Sequence, residues 1–219
     1  MTTPRLPAAA LAGVPAGVQA QGVWAGRRQL FVRFAGEAET ATMYTSAALL
    51  KEIDRQLSRT KIHSIAIGGR DPLGNLEFLM AAFGSKPMPV PLMLDSDGQR
   101  PEALAMLAPN LAMTQVTVEF IGPEAGLASA VETLAAAAGA GCPHALVLCP
   151  RDDTSDSQIV RLVQQAHATS AEVQVVIHPF LTGEPPILDR RWSTLLEQAA
   201  ALHADTRLAL RLPPPTGLR

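Results

Sequence analysis

Short aliphatic, β-branched runs alternate with amphipathic stretches along most of the chain, and this alternation restricts the fold more than any other feature. Residues 30–34, 61–69, 90–94, 113–120, 145–149 and 172–178 read as strands. Each is followed by apolar residues at helical spacing: Leu49, Leu50, Ile53 and Leu57; Leu76, Leu79, Met80 and Phe83; Leu104 and Leu107; Leu127, Val131 and Leu134; Ile159, Leu162, Val163 and Ala166; Trp192, Leu195, Leu196, Ala199 and Leu202. Six strand–helix units and a seventh strand from Thr206 predict an α/β protein with a parallel sheet and helices outside it. Periodicity alone admits either a doubly wound open sheet or a barrel-like arrangement. In both, ligands sit at the C-terminal strand ends.

A chain of 219 residues, 47% of them apolar, suits one α/β domain with a sizeable core. Eighteen basic residues against 20 acidic ones give a net charge of −2, and aromatics make up only 4%. Neither figure suits a nucleic-acid surface. No window carries the ~18 apolar residues of a spanning helix. Residues 1–21 are apolar and Ala-rich but are broken by Pro7 and Pro15, with Arg5 the only basic residue. They read as a tail and not as a secretory signal, which makes the cytoplasm the expected compartment. Cys142 and Cys149 lie seven residues apart and read as buried structural thiols.

The polar residues at the strand ends are the candidates for function. Gly68-Gly69 closes the second strand and Asp71 follows it. Glycine permits close backbone approach, and a carboxylate suits an ammonium group. Asp95 and Asp97 can hold a metal or a sugar hydroxyl, or can simply form a turn with Gly98. Glu119, Arg151 and His178 end the later strands. Each has a purely structural alternative: solvated edge, helix N-terminal loop, or packed histidine. No Ser-His-Asp spacing, Walker-type phosphate loop or zinc pattern is present.

Four stretches resemble the radical S-adenosylmethionine (SAM) enzymes, in their 7-carboxy-7-deazaguanine synthase and activating-enzyme branch. Gln21-Gly22-Val23-Trp24-Ala25-Gly26-Arg27 keeps part of that branch's lead-in, and Phe31-Val32-Arg33 followed by Gly36 resembles its first strand running into a Cys-x3-Cys-x2-Cys loop. Gly68-Gly69-Arg70-Asp71-Pro72-Leu73-Gly74-Asn75 resembles its SAM-binding turn. The tail from Thr206 is similar to its closing strand, with Pro213, Gly217 and Arg219 in register and Pro214 and Thr216 where the branch has Gln and His.

The resemblance implies an open partial (β/α)6 TIM-like barrel over residues 22–219. It departs from the branch where the chemistry belongs. The cluster positions fall on Glu37, Ala41 and Tyr44. A carboxylate, a methyl and a phenol do not replace three thiolates, so no [4Fe–4S] cluster is expected. The resemblance therefore implies a pseudoenzyme: a binding, regulatory or partner subunit, as a homodimer or a heteromer with an active relative or its substrate. Its residual ligand positions would be Gly68, Gly69, Asp71, Asp95, Asp97, Glu119, Arg151 and His178. The alternative is a non-radical enzyme using the strand-end carboxylates and His178, with SAM or a metal as ligand. Without a cluster to wrap, the segment 37–44 is expected to be a mobile loop or a reused contact surface.

Overall fold

The predicted alternation of strand and helix is present, but the sheet starts earlier in the chain than the pattern suggests. The computed structural model describes residues 7–120, 125–180 and 190–210, the side chains of 125 and 126 excepted. In order, the elements are β1 (Ala8–Gly13), β2 (Ala16–Val18), β3 (Arg28–Phe34), β4 (Thr42–Thr45), α1 (Ser46–Leu57), β5 (Ser64–Gly69), α2 (Leu76–Phe83), β6 (Leu92–Ser96), α3 (Pro101–Leu107), β7 (Met113–Val118), α4 (Ala125–Gly139), β8 (His144–Leu148), α5 (Asp156–Thr169), β9 (Gln174–Ile177), α6 (Arg190–Leu202) and β10 (Thr206–Leu208). Residues 181–188 and the tail positions from Pro213 to Arg219 lie outside the described residues.

These strands form one mostly parallel sheet that does not close. Its order is β10-β9-β8-β7-β6-β5-β3-β1-β4, with β2 also paired to β3. From β3 to β10 the parallel strands follow chain order without a reversal, so the doubly wound alternative is ruled out. Right-handed crossovers laid down in one direction put every helix on the same face. The core agrees. Leu49 and Ile53 of α1, Phe78 and Leu79 of α2 and Leu104 of α3 pack with Leu30, Val32, Ile65, Ile67 and Leu94. Leu134 of α4, Leu162 of α5 and Trp192 of α6 pack with Val116, Leu146, Val175 and Ile177. Side chains alternate along each strand, so the intervening residues line the opposite face.

Two expectations need correction. Residues 8–18, read as tail, are strands. Small, uncharged Ala8–Gly13 fits between β3 and β4 and pairs antiparallel with both. Their near-continuous small and aliphatic character gave no clear period-2 signal, which is why pattern alone missed them. The segment read as a loop over 37–44 instead ends in β4, whose Tyr44 pairs with Ala9. Thr45 then caps α1, its Oγ1 accepting from the Ala48 amide at 3.2 Å, as the sequence suggests. The remaining turn before β4 is closed by Glu39, which accepts from the Gly36 amide and from Arg33. Those two bonds hold its carboxyl below the usual carboxylate range, the Gly36 amide having the larger effect.

Candidate functional site

The helix-free face of the parallel sheet carries the polar groups that position any site. Met93, Met113, Ala66 and Ala145 form a small apolar floor there, with Phe31, Val23 and Trp24 packed on it. Four of the strands contribute to this floor, one residue each. The segment 19–27 that links β2 to β3 folds back over the face. Its ends are tied by the Gln19 amide to the Arg27 carbonyl and the Gly26 amide to the Gln19 carbonyl, both at 2.9 Å. Trp24 meets His63 edge-on, with ring centroids 5.1 Å apart.

His178 and Gln115 lie beneath this segment at Gly22, and Asp95 shares their face of the sheet. His178, 1% exposed, accepts at Nε2 from the Gly22 amide at 2.8 Å. That bond requires Nε2 to be unprotonated. Asp95 lies on the same face and accepts from the Thr117 hydroxyl at 2.7 Å. Its register partner on β7 is Gln115. Gln115 is fully buried, and neither end of its amide meets a partner among the described residues. Gly22 presses against it: a Cβ at that position would overlap Gln115 Oε1 and sit 2.6 Å from Cδ. Further down the same face, Gln29 donates to Ser64 Oγ at 2.7 Å while its own Oε1 has no partner among the described residues.

The other candidates are used elsewhere. Asp71 sits at φ 42°, caps the following 3₁₀ turn by accepting from the Gly74 amide, and takes two bonds from Arg100, at 2.8 and 2.7 Å. Arg100 is itself at φ 60°. This paired fork occupies the carboxylate that a ligand ammonium would need. Asp97 accepts from the backbone and side chain of Gln99, which is the turn alternative. Glu119 and Arg151 are exposed on the loops after β7 and β8. Arg151 orders its loop by donating its amide to Thr154 Oγ1. Gly69, at φ 98°, lies against the backbone of Phe34, so the second glycine of the pair is explained by packing. A Cβ on Gly68 would stand at ordinary contact distance from Asp95.

Glu37 and Ala41 are exposed, and Tyr44 is a strand residue packed against the helix-side core. The donor set at the three cluster positions does not fit an iron–sulfur cluster. Among the described residues no group of three or more His, Cys, Asp and Glu gathers as a metal site, and no helix is long and apolar enough to cross a membrane. Both cysteines are buried and unbridged, and burial pushes the Cys142 thiol up.

Sequence reasoning missed Gln29, Gln115 and the covering segment. Gln115 stands in a strand otherwise made of Met, Val and Thr, and that amide among strand formers was its only signal. Arg100 was missed because its partner is 29 residues away. No family model matches the chain, and no curated protein matches it.

Asp71 gives a first prediction. The Arg100 fork is the main reason its carboxyl lies below the usual carboxylate range, with burial opposing it. A depressed carboxylate adds stability above the unfolded-state value of about 4, and that stability is lost as pH falls through the lower folded value. The gap in urea midpoint between the native chain and Asp71→Asn should be full at pH 6 and close on acidification. The pair is partly exposed, so the full gap is about 1 kcal/mol or less. A gap that does not change down to pH 2 would remove the fork from the account.

Proposed function

We propose that this chain is a catalytically degenerate relative of the radical SAM enzymes, of the 7-carboxy-7-deazaguanine synthase and activating-enzyme branch, and works as a binding or partner subunit. The observation that carries this is what has become of the segment following β3. Where the branch wraps a cluster, Glu37 and Ala41 lie in an exposed turn and Tyr44 belongs to a strand at the sheet edge. Two further features support it. The chain-ordered open sheet with helices on one face is the arrangement a partial (β/α)6 barrel would have. The Gly-Gly-Arg-Asp turn keeps its place after β5, with Asp71 already held by Arg100.

Titration calorimetry with SAM tests this reading, with Asp71→Ala alongside. No binding up to millimolar SAM is expected for either protein. Micromolar binding that Asp71→Ala abolishes would overturn the pseudoenzyme reading in favour of a retained cofactor site. A second reading, a non-radical enzyme, draws on Asp95, Gln115 and His178 sharing one face. It would gain if a divalent metal or SAM bound tightly and His178→Ala removed that binding.

A further inference from the structure

β4 is the last strand of the sheet among the described residues, and its outer edge can be read residue by residue. In an antiparallel ladder, successive residues point their amide and carbonyl alternately to one neighbour and the other. β1 and β4 pair Ala8 with Thr45, Ala9 with Tyr44, Ala10 with Met43 and Leu11 with Thr42. The Ser46 amide donates to the Pro7 carbonyl, and the Ala10 carbonyl accepts from Ala35 on the β3 side. Ala10 therefore bonds away from β4, while Ala9 and Leu11 face Tyr44 and Thr42. Thr42 and Tyr44 thus spend their backbone groups on β1, and Met43 points its amide and carbonyl outward.

Exposed edges are normally protected by charge, proline or a bulge. β4 has none of these. It reads Thr42-Met43-Tyr44-Thr45, all strand formers or neutral, and Met43 is 66% exposed, the highest of the exposed large hydrophobic residues among those described.

We infer that β4 pairs antiparallel with β4 of a second copy of this chain, about a two-fold axis at Met43. Only residues whose groups point outward can exchange bonds, so Ala41, Met43 and Thr45 face one another in steps of two, and centring the pair on the exposed Met43 selects one register. Met43 lies opposite Met43 of the second copy, with Thr42 opposite its Tyr44 and Ala41 opposite its Thr45. Two amide–carbonyl bonds form at the axis. The Met43 side chains meet on one face of the joined sheet, and Thr42 and Tyr44 meet on the other.

Charge favours the same partner. Antiparallel pairing brings the turn before β4 beside the first turn of α1 in the other copy. That helix turn carries the positive end of the helix dipole and no acidic residue, while the approaching turn carries Glu37, its Glu39 being already paired with Arg33. The contact is self-complementary and closes at two copies. So short an edge buries far less than the ~1,600 Å² of a standard stable interface, so the dimer is concentration-dependent.

This deepens the partner-subunit reading by naming the partner, although the edge geometry does not depend on ancestry. The test is sedimentation of the full chain from micromolar to millimolar concentration, with Met43→Pro and Met43→Lys. Proline removes an amide that β1 does not use, so the monomer keeps its ladder. Circular dichroism checks that it does. The native chain should reach twice the monomer mass, and both variants should raise the dissociation constant by about tenfold or more. Slowed hydrogen exchange at the Met43 amide on concentrating the native chain should accompany dimerisation.

A native chain monomeric at every concentration would overturn the inference. So would a dimer indifferent to both folded variants, or an edge that binds only a different protein. The last result would leave the partner-subunit reading standing. Conversely, a Met43-dependent dimer that also binds SAM at micromolar concentration would keep this inference and remove that reading.

Discussion

Gly69→Ala lowers the stability of the fold by about 3–5 kcal/mol, while Gly68→Ala costs less than about 1 kcal/mol. The two glycines are adjacent at the end of β5, and a motif treats them as one unit. Their surroundings differ. Gly69 is at φ 98°, where an L side chain is disfavoured by about 1–2 kcal/mol. Its Cβ would overlap the Phe34 carbonyl oxygen and lie 2.8 Å from the Phe34 nitrogen. Those are backbone atoms of the paired strand β3, so no rotamer change relieves the clash. The strands would have to part where the Arg70 amide donates to Phe34 and where the Phe34 ring meets Phe78 edge-on. A Cβ on Gly68 would lie 3.4 Å from Asp95 Cβ, an ordinary contact. Urea unfolding measures the difference, as a drop in midpoint at unchanged slope. Equal effects from the two substitutions would mean that the backbone approach at Gly69 is not what holds the pair in place.

That contrast shows how far the sequence could be read. The βα alternation and the Thr45 cap rest on contacts within a few residues, and both were legible. The choice between doubly wound and chain-ordered sheets rests on which strands pair. Period-2 patterns do not encode it, because the central strands β5 to β8 are buried along almost their whole length. β1 and β4 were hidden for a related reason: an Ala-rich strand and a Thr-rich edge have no hydrophobic alternation to read. The strand-end polar residues were found by position, and then separated by partners remote in sequence. Asp71 went to Arg100, Asp97 to its own turn, and His178 to Gly22, 156 residues away. A carboxylate after a glycine turn has the same appearance in one dimension whether it waits for a ligand or already holds an arginine.

The Gly22–Gln115 contact supplies the second large effect and a way to apportion it. Gly22 is at φ 81° and must carry its amide to His178 while lying against the Gln115 side chain. Gly22→Ala should cost about 2–4 kcal/mol: roughly 1–2 for the left-handed backbone, and the rest for steric overlap with a buried side chain that cannot swing to solvent. Gln115→Ala alone should cost little. It leaves a small void, but it also removes a buried amide without protein partners, whose burial costs about 1–3 kcal/mol. The double variant should then be more stable than the sum of the two predicts, because the alanine methyl occupies space the glutamine has left. A coupling of about 1–2 kcal/mol in that cycle would place the covering segment directly on Gln115. Simple additivity would mean that the segment 19–27 lifts away when Gly22 is changed, and that its hold on the sheet lies with Val23 and Trp24 instead.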